Sequence, residues 1–297
     1  MCIVAFSWQP QRTQSLLLAS NRDEFYERLS SPLSAWTVSA SAKTIDASTV
    51  LWSGRDLAVE ALHEKGKRLF GTWLGVNPEN GRFAFLTNIR SPQDKNPEAP
   101  TRGHFVSQFI AGTDSPEHFL QKIAAKAYRY NGFNLVVGVV PSYSVAPSQT
   151  YGVTSIEDAQ CWHFNSKNTQ APQQLAAGTY AVSNADLNTQ WPKVSQLLSQ
   201  FTLAQYRDAP AQTEALFAAL AERRQYHDDV LPNTGVAVTW ERALSAVFIA
   251  GQNELARYGT RASTVLSMSK HGLSMEERSF GALGRASGTV VLNTLLK

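Results

Sequence analysis

Two apolar segments near the start of the chain, "MCIVAFSW" (residues 1–8) and "SLLLASN" (residues 15–21), decide how the fold begins. Six polar residues that include a proline, "QPQRTQ" (residues 9–14), separate them. Apolar runs of strand length on either side of a short polar segment are typical of a β-hairpin. The sequence therefore predicts that the first two strands lie side by side, near the centre of one sheet.

The expected register of this hairpin places a cysteine beside charged residues. A turn centred between Gln11 and Arg12 pairs positions whose numbers sum to 23, which sets Cys2 opposite Asn21. Arg22 and Asp23 follow directly, at the mouth of "NRDEFYER". We therefore expect the thiol, the guanidinium and the carboxyl group to lie in one neighbourhood.

The remaining elements alternate between groups of strands and groups of helices. A second hairpin is predicted from "GTWLGV" (71–76) and "GRFAFLTN" (81–88), which flank the turn "NPEN". Helices are predicted at about 103–111, from Pro116 onward with Ser115 before it, and near 194–206 and 213–225. Further strands are expected at 133–140, 160–165, 179–184, 236–240, 244–250, 260–268 and 288–296.

This order favours an α+β fold over a regular βαβ alternation. Runs of strands followed by runs of helices suit two mainly antiparallel sheets stacked on each other, with helices outside. A chain of 297 residues is long enough to bury a sizeable core, and neither an internal repeat nor a low-complexity linker divides it. We therefore expect residues 1–297 to form a single domain.

Composition excludes several classes of function. The net charge of +3 comes from mixed signs without a long lysine and arginine run, so nucleic acid is not an expected partner. No apolar run has the length of a transmembrane segment, and the start of the chain does not resemble a secretory signal. Two cysteines make no disulfide framework. These features predict a cytoplasmic protein.

Candidate reactive groups stand at the ends of predicted strands. If Met1 is removed, Cys2 carries a thiol and a free amine together, and the amine can serve as the base that a thiol nucleophile needs. Asparagine side chains can stabilise a developing oxyanion, and arginines can hold a thiolate or a carboxylate. The strand-end residues of these types are Cys2, Asn21, Arg22, Asp23, Asn88, Asn184 and Arg261.

Each of these residues also has a purely structural interpretation. Cys2 fits a small buried hydrophobe, asparagines at strand ends form turns, and Arg22 with Asp23 fits an ion pair. The six histidines do not follow the spacing of a zinc site, and no motif marks the ligands of any metal.

Motifs along the whole chain resemble those of a known family. "MCIVAF…LLLASNRDEFYER" is similar to the N-terminal signature of the NRDE family, whose eukaryotic members are called transport and Golgi organization protein 2. The resemblance continues in order through "WSGRDL", "GTWLGVN", "FAFLTNIR", "RGHFVSQF", "NGFNLVVG", "AVSNADLNTQWPKV", "LPNTGV", "LSAVFI" and "YGTRASTVL". Members of this family usually pass from the "GRDL" block to "GTWLG" in a few residues. Here Ala58–Phe70 intervenes, which predicts an enlarged loop.

The resemblance implies a fold and one kind of chemistry. The family looks like a branch of the N-terminal-nucleophile hydrolase fold, a four-layer αββα sandwich, with bile-salt hydrolase and penicillin V acylase as its nearest analogues. By this analogy Cys2 would be both nucleophile and base, and Arg22 and Asp23 would orient it. Asn88 and Asn184 would line the oxyanion hole. Arg261, toward the C-terminal end of the sequence, would supply a further cation. The chain would then hydrolyse a linear amide.

The resemblance also implies a second, different function. Members of the family are implicated in haem trafficking, so the chain is expected to bind haem or another small amphipathic ligand and pass it to haem-accepting proteins. A haem carrier needs an apolar slot and cations for two propionates. The residues expected to provide them are Asn21, Arg22, Trp73 and Arg261. We rank haem binding and transfer first and a cysteine-dependent amidohydrolase second.

Overall fold

The computed structural model describes residues 2–39, 48–62, 68–140, 159–168, 170–251 and 255–294. The strands are β1 (Cys2–Trp8), β2 (Gln14–Phe25), β3 (Ser30–Ser39), β4 (Ser48–Leu62), β5 (Arg68–Gly71), β6 (Leu74–Val76), β7 (Arg82–Asn88), β8 (Phe133–Val139), β9 (Gln160–Asn165), β10 (Gln173–Gln174), β11 (Gly178–Val182), β12 (Tyr258–Ser269), β13 (Gly272–Phe280) and β14 (Ala286–Asn293). The α-helices are α1 (His104–Ala111), α2 (Pro116–Ala124), α3 (Pro192–Ala204), α4 (Ala209–Leu220) and α5 (Val238–Ala243).

The strands form two antiparallel sheets. The six-stranded sheet has the order β11-β1-β2-β12-β13-β14, and the eight-stranded sheet has the order β10-β9-β8-β7-β6-β4-β3, with β5 paired to β4. As the first hairpin predicts, β1 and β2 are neighbours within one sheet rather than edge strands. The expectation of an α+β fold with two mainly antiparallel sheets is confirmed.

Alternation of side chains along the strands builds three apolar layers. Phe6 and Leu18 of the six-stranded sheet pack with Phe85 of the eight-stranded sheet in the cluster between the sheets. Their sequence neighbours Ala5 and Leu17 point the other way and pack with residues of α3 and α4. The outer face of the eight-stranded sheet packs on α1 and α2 in the same manner. Helices therefore cover both outer faces of the stacked sheets.

The predicted helices after the second hairpin are confirmed, with their capping. Ser115 is the N-cap of α2, and its hydroxyl accepts a hydrogen bond from the backbone N–H of His118 at 3.2 Å. Pro116 occupies the first helical turn, where a missing N–H loses no hydrogen bond. Asp208 caps α4 in the same way.

Two predicted strands are wrong. Residues 236–240 end in the helix α5, and residues 244–250 form turns and irregular structure. Leu244 and Ile249 pack with Tyr258 in a small separate apolar cluster. Short apolar runs that bury their side chains this way cannot be told from strands by periodicity alone.

The region that departs from the family pattern, Ala58–Phe70, contains paired backbone where a loop was expected. Strand β4 continues to Leu62 and pairs with β5 in an antiparallel hairpin, with Glu60 opposite Phe70. Residues 63–67 lie outside the described part of the chain. Within the described residues, no helix combines the length and the apolar character that crossing a bilayer requires.

Two glycines provide a matched test of this packing. A Cβ added at Gly138 would lie 2.4 Å from the ring of Phe83 and 2.7 Å from the backbone oxygen of Gln160. A Cβ added at Gly288 would meet nothing within 4 Å. We predict that Gly138→Ala lowers the free energy of unfolding by about 1–3 kcal/mol, because overpacking displaces neighbours. Gly288→Ala should change it by less than about 0.5 kcal/mol, measured by urea unfolding. Equal effects would contradict the described packing around Gly138.

Candidate functional site

The register of β1 on β2 determines which groups share a face of the sheet. Cys2 lies opposite Arg22, and Ile3 lies opposite Asn21, so paired residue numbers sum to 24 rather than 23. The predicted pairing of Cys2 with Asn21 is therefore wrong by one residue, which exchanges the faces. Side chains alternate along a strand, so Cys2 and Arg22 face the eight-stranded sheet, whereas Asn21 and Asp23 face the helical layer.

Arg22 is a buried cation with incomplete pairing. Its side chain is 4% exposed, and its guanidinium carbon lies 4.2 Å from the centre of a Trp73 ring. Nη2 is 3.8 Å from a carboxylate oxygen of Asp56, and the same carboxylate binds Arg28 at 2.9 Å. Among the described residues, Nη1 has no hydrogen-bond partner. Burying a charge without full pairing is unfavourable, so this group marks a place where an anion is favoured.

Arg22 and Trp73 line one pocket together with Arg261. The pocket has a volume of about 240 Å³ and lies between the two sheets. Glu277 and Phe280 of β13 also line it, as do residues of β3 and β14. Three of the four residues expected to bind an amphipathic ligand are therefore brought together here.

Arg261 reaches this pocket from a β-bulge. The register of β12 on β2 shifts between Thr260 and Ala262, which leaves Arg261 as the extra residue. Its Nη1 donates hydrogen bonds to three backbone oxygens within residues 25–28, at 3.0 to 3.3 Å. Its Nε has no partner in the described part of the chain. Arg261 thus fastens the segment after β2 and keeps one donor uncommitted.

Glu277 adds a buried carboxyl group to the same pocket. It is 1% exposed and accepts hydrogen bonds from the backbone N–H of Leu33 at 2.7 Å and the hydroxyl of Thr264 at 3.4 Å. Burial raises the pKa of this carboxyl group, opposed by those hydrogen bonds and by the charge of Arg22. The pocket therefore combines two cations with one acid that resists ionisation.

The thiol of Cys2 stands next to Arg22 in an enclosed environment. Cys2 is 8% exposed, and burial raises the pKa of its thiol above the ordinary value. The carboxylate of Asp23 acts in the same direction, while the charge of Arg22 opposes it. The backbone oxygen of Cys2 accepts a hydrogen bond from the hydroxyl of Ser183 at 3.1 Å. Burial thus favours the protonated thiol over the nucleophilic thiolate.

Asn184 and Asn88 meet at this end of the sheet. The amide nitrogen of Asn184 donates to the backbone oxygen of Asn88 at 2.9 Å, and its amide oxygen accepts from Arg90 at 3.3 Å. The carboxylate of Glu241 binds Arg90 at 2.5 Å. The preceding residue, Ser183, donates a hydrogen bond to the backbone oxygen of Cys2, so both asparagines lie at the end of the sheet where β1 begins. The oxyanion role suggested for both asparagines stays a prediction.

The residues on the opposite face of β2 serve the helical layer. Asn21 is fully buried, and its amide nitrogen donates to the backbone oxygens of Leu220 and Val247 at 2.8 and 2.9 Å. Asn21 therefore does not line the pocket and holds the helices to the sheet. Asp23 accepts a hydrogen bond from the hydroxyl of Thr260 at 2.7 Å, and burial raises the pKa of its carboxyl group.

Lys193 is a buried charged residue that the sequence patterns did not indicate. It lies in the first turn of α3 and is 2% exposed. Burial lowers the pKa of its ammonium group to about 7, and the charge of Arg90 acts in the same direction. Asp23, Glu241 and Cys2 oppose that shift. In the sequence Lys193 looks like any lysine on the exposed face of an amphipathic helix. Only the structure shows that its side chain is buried.

Comparisons with known proteins match nearly the whole chain to one family. The family model for Transport and Golgi organisation 2 matches residues 1–281. The chain belongs to the Transport and Golgi organisation 2 family. It is similar to the Transport and Golgi organization protein 2 homolog of Bos taurus, with 30% identity over 94% of this chain and 93% of that protein.

Two further relatives carry the same name. The Homo sapiens homolog is 29% identical over 94% of this chain and 93% of its own length. Transport and Golgi organization protein 2 of Drosophila melanogaster is 24% identical over 67% of this chain and 72% of its own. The resemblance inferred from the motifs is therefore confirmed at the level of the family.

Lys193 provides a test of the electrostatics of this region. The unfolded chain holds the proton up to an ordinary pKa of 10.5, whereas the folded protein releases it near 7. Between these values the unfolded state binds more protons, so stability rises with pH. Lys193→Met should remove this rise, which amounts to on the order of 2 kcal/mol between pH 7 and pH 9. Urea unfolding of both proteins at several pH values measures it.

The matched control is Lys167→Met, since the side chain of Lys167 is 44% exposed. This variant should follow the wild-type pH dependence. A Lys193→Met protein with the same pH dependence as the wild type would show that the buried ammonium does not titrate near neutrality.

Proposed function

We propose that this protein binds an amphipathic ligand in the pocket of Arg22, Trp73 and Arg261 and passes the ligand to acceptor proteins. The pocket would hold the carboxylate of the ligand. Haem, held by a propionate, is the first ligand to test. The proposal rests on one observation: Nη1 of Arg22 is buried and has no hydrogen-bond partner among the described residues. A carboxylate would complete the hydrogen bonding of this group.

Charge and shape in the pocket support an anionic head and an apolar body. Arg22 and Arg261 present two cations, and a guanidinium binds a carboxylate in a fixed planar geometry. Trp73 and Phe280 supply aromatic surface beside them. Glu277, whose pKa is raised by burial, opposes these cations less than an ordinary carboxylate would.

The dimensions of the pocket suit haem as cargo rather than as a resident cofactor. Pockets that enclose a drug-sized ligand span roughly 300–1,000 Å³, and this one is about 240 Å³. It would therefore take one edge of a porphyrin and leave the remainder at the opening. The described residues that line it include no histidine, cysteine, methionine or tyrosine, the side chains that usually ligate haem iron. Recognition through propionate and ring leaves the ligand exchangeable.

The first test of this proposal removes the buried cation. We predict that Arg22→Met weakens binding of hemin by about 30-fold or more, since truncating one partner of a buried charged pair costs about 2–5 kcal/mol. The control is Arg28→Met, which removes a cation bound to the same Asp56 but outside the pocket lining. Titration of hemin into each folded protein, followed by absorbance, measures the dissociation constants. Unchanged affinity in Arg22→Met would remove the proposal.

A cysteine-dependent amidohydrolase is the second candidate function. It is favoured by the register that sets Cys2 beside Arg22 and by the convergence of Asn184 and Asn88 on the same end of the sheet. If Met1 is removed, the amine of Cys2 would accept the thiol proton while the thiolate attacks the carbonyl carbon of an amide. The ammonium would return this proton to the leaving amine as the C–N bond breaks, and water would then hydrolyse the thioester and free the thiol. In the chain that retains Met1, burial raises the pKa of this thiol, which opposes the thiolate that the mechanism needs.

Substitution of Cys2 separates the two candidate functions. We predict that Cys2→Ala keeps hemin affinity within about twofold of wild type, and that wild-type protein of confirmed N-terminal mass does not turn over simple amides. In a hydrolase the same change would remove the nucleophile and reduce the rate by several orders of magnitude. Release of an amine from an amide by the wild type, lost in Cys2→Ala, would reverse the ranking.

A further inference from the structure

A second pocket lies at the opposite edge of the eight-stranded sheet from the pocket of Arg22. It has a volume of about 170 Å³, and the two pockets share no lining residue. Strands β9 and β10 end one side of that sheet, whereas β3, which lines the first pocket, ends the other. We call the second pocket the amide pocket, after four residues that line it: Asn165, Asn168, Gln170 and Gln173.

One wall of the amide pocket is a turn that its own side chains hold in shape. The amide oxygen of Asn165 accepts a hydrogen bond from the backbone N–H of Lys167 at 2.8 Å, and that of Asn168 accepts from Gln170 at 3.1 Å. Such bonds fix the backbone of a turn. Asn165 is 9% exposed, and its amide nitrogen has no hydrogen-bond partner among the described residues. This buried group therefore keeps a donor for a ligand.

The opposite wall is a turn that presents a carboxylate. Asn188, which has a φ of 58°, closes this turn with hydrogen bonds to both backbone groups of Ala181, at 2.7 and 2.9 Å. Asp186 accepts hydrogen bonds from the backbone N–H of Leu187 at 2.8 Å and from the amide nitrogen of Asn168 at 3.3 Å. A carboxylate offers about four acceptor positions. Asp186, whose side chain is 45% exposed, can therefore accept further hydrogen bonds.

His163 adds a buried ring without adding a charge. The amide nitrogen of Asn134 donates to Thr87 and to the backbone oxygen of Ala185, which directs the amide oxygen of Asn134 at Nε2 of His163, 3.3 Å away. An amide oxygen only accepts, so Nε2 carries the ring proton. Burial lowers the pKa of His163 to about 4, and the ring is neutral near neutral pH. Among the described lining residues, Asp186 then carries the single formal charge.

We propose that the amide pocket binds a neutral cyclic polyol of the size of one sugar ring. A hydroxyl group both donates and accepts hydrogen bonds, so it needs a site that offers both. The amide nitrogens of Asn165 and Gln170 supply donors. The amide oxygen of Gln173 and the carboxylate of Asp186 supply acceptors, because the hydrogen bond between Gln173 and Gln170 uses the other end of each amide. This site goes beyond the proposed function and does not depend on it.

Size and charge narrow the class of ligand. Pockets for drug-sized ligands span roughly 300–1,000 Å³, so a volume of about 170 Å³ suits a single ring. Ala171 and Leu187 add apolar surface that can contact the C–H groups of such a ring. The described lining offers no cation to a phosphate or a carboxylate, in contrast to the pocket of Arg22 and Arg261.

The experiment measures binding of four neutral polyols, D-glucose, D-galactose, D-mannose and myo-inositol, by saturation-transfer difference NMR. At least one of them should bind the wild type with a dissociation constant of about 10 mM or lower. Asp186→Ala removes an acceptor, and Ala171→Phe fills the pocket from an exposed position. Each substitution should weaken binding by at least about tenfold, since hydrogen bonds to charged groups and a free volume are lost.

Each variant has a matched control outside the amide pocket. Ala177→Phe places the same ring at another exposed position of the same segment, and Asp229→Ala removes a carboxylate whose side chain is 71% exposed. Both controls should bind within about twofold of wild type. Near-UV circular dichroism and thermal unfolding confirm that each variant folds. Absence of saturation transfer from all four polyols to the wild type would overturn the site, as would undiminished affinity in folded Ala171→Phe.

Charged analogues test the neutral class. D-glucuronate should bind more weakly than the neutral polyols, because it would meet the carboxylate of Asp186 and no cation. D-glucosamine in its ammonium form should gain less than about tenfold, because solvent screens a half-exposed carboxylate. A larger gain for glucosamine would identify a cation site, and equal or tighter binding of glucuronate would identify an anion site. Either result would overturn the neutral class.

Hemin affinity separates this inference from the proposed function. Ala171→Phe should bind hemin within about twofold of wild type, because the two pockets share no lining residue. If the polyols fail to bind while Arg22→Met still weakens hemin binding, the amide pocket alone is wrong. Loss of hemin binding in folded Ala171→Phe would overturn the independence of the two sites.

Discussion

The pairing of Cys2 with Arg22 is the constraint on which the rest of the site depends. In an antiparallel pair the side chains opposite each other share a face, so this one register places the thiol and the guanidinium between the sheets. It also turns Asn21 and Asp23 toward the helices, where Asn21 binds the backbone of α4. The tetrapeptide that marks the family therefore has two faces, one for the pocket and one for the attachment of the helical layer.

Burial of Arg22 explains why so many polar groups gather around one strand end. A guanidinium taken out of water needs compensation, and here it comes from the ring of Trp73 and from the carboxylate of Asp56, which Arg28 shares. Because Asp56 lies 3.8 Å away and serves two arginines, compensation is incomplete. The protein holds a desolvated cation whose remaining donor favours an incoming anion, and packing of the two sheets fixes its position.

Much of the fold could be predicted from residue patterns, and the failures have physical causes. The first two hairpins and the helix begun by Ser115 and Pro116 follow from turn and capping chemistry, which is local. Residues 244–250 were misassigned because a short apolar segment that packs in a small cluster has the composition of a strand. The hairpin register was off by one because turn geometry, which decides it, is not encoded in the apolar pattern.

Prediction of the site was limited for a different reason. Cysteine, arginine and asparagine at strand ends are visible in a sequence, so Cys2, Arg22 and Asn184 could be proposed. Lys193 could not, because a lysine becomes chemically unusual only through the groups that bury it.

The same end of β2 places two reactive groups side by side, a guanidinium that can bind a carboxylate and a thiol that can act as a nucleophile. The register row that begins at Cys2 continues through Arg22 to Ala262, Ser279 and Gly288, so the thiol and the pocket occupy one line across the sheet. Arg22 stands between them, stacked on Trp73. A carboxylate bound at Arg22 therefore stops before it reaches Cys2. The geometry as it stands, with the cation in place and the thiol enclosed, supports the proposed binding of a carboxylate over reaction at the thiol.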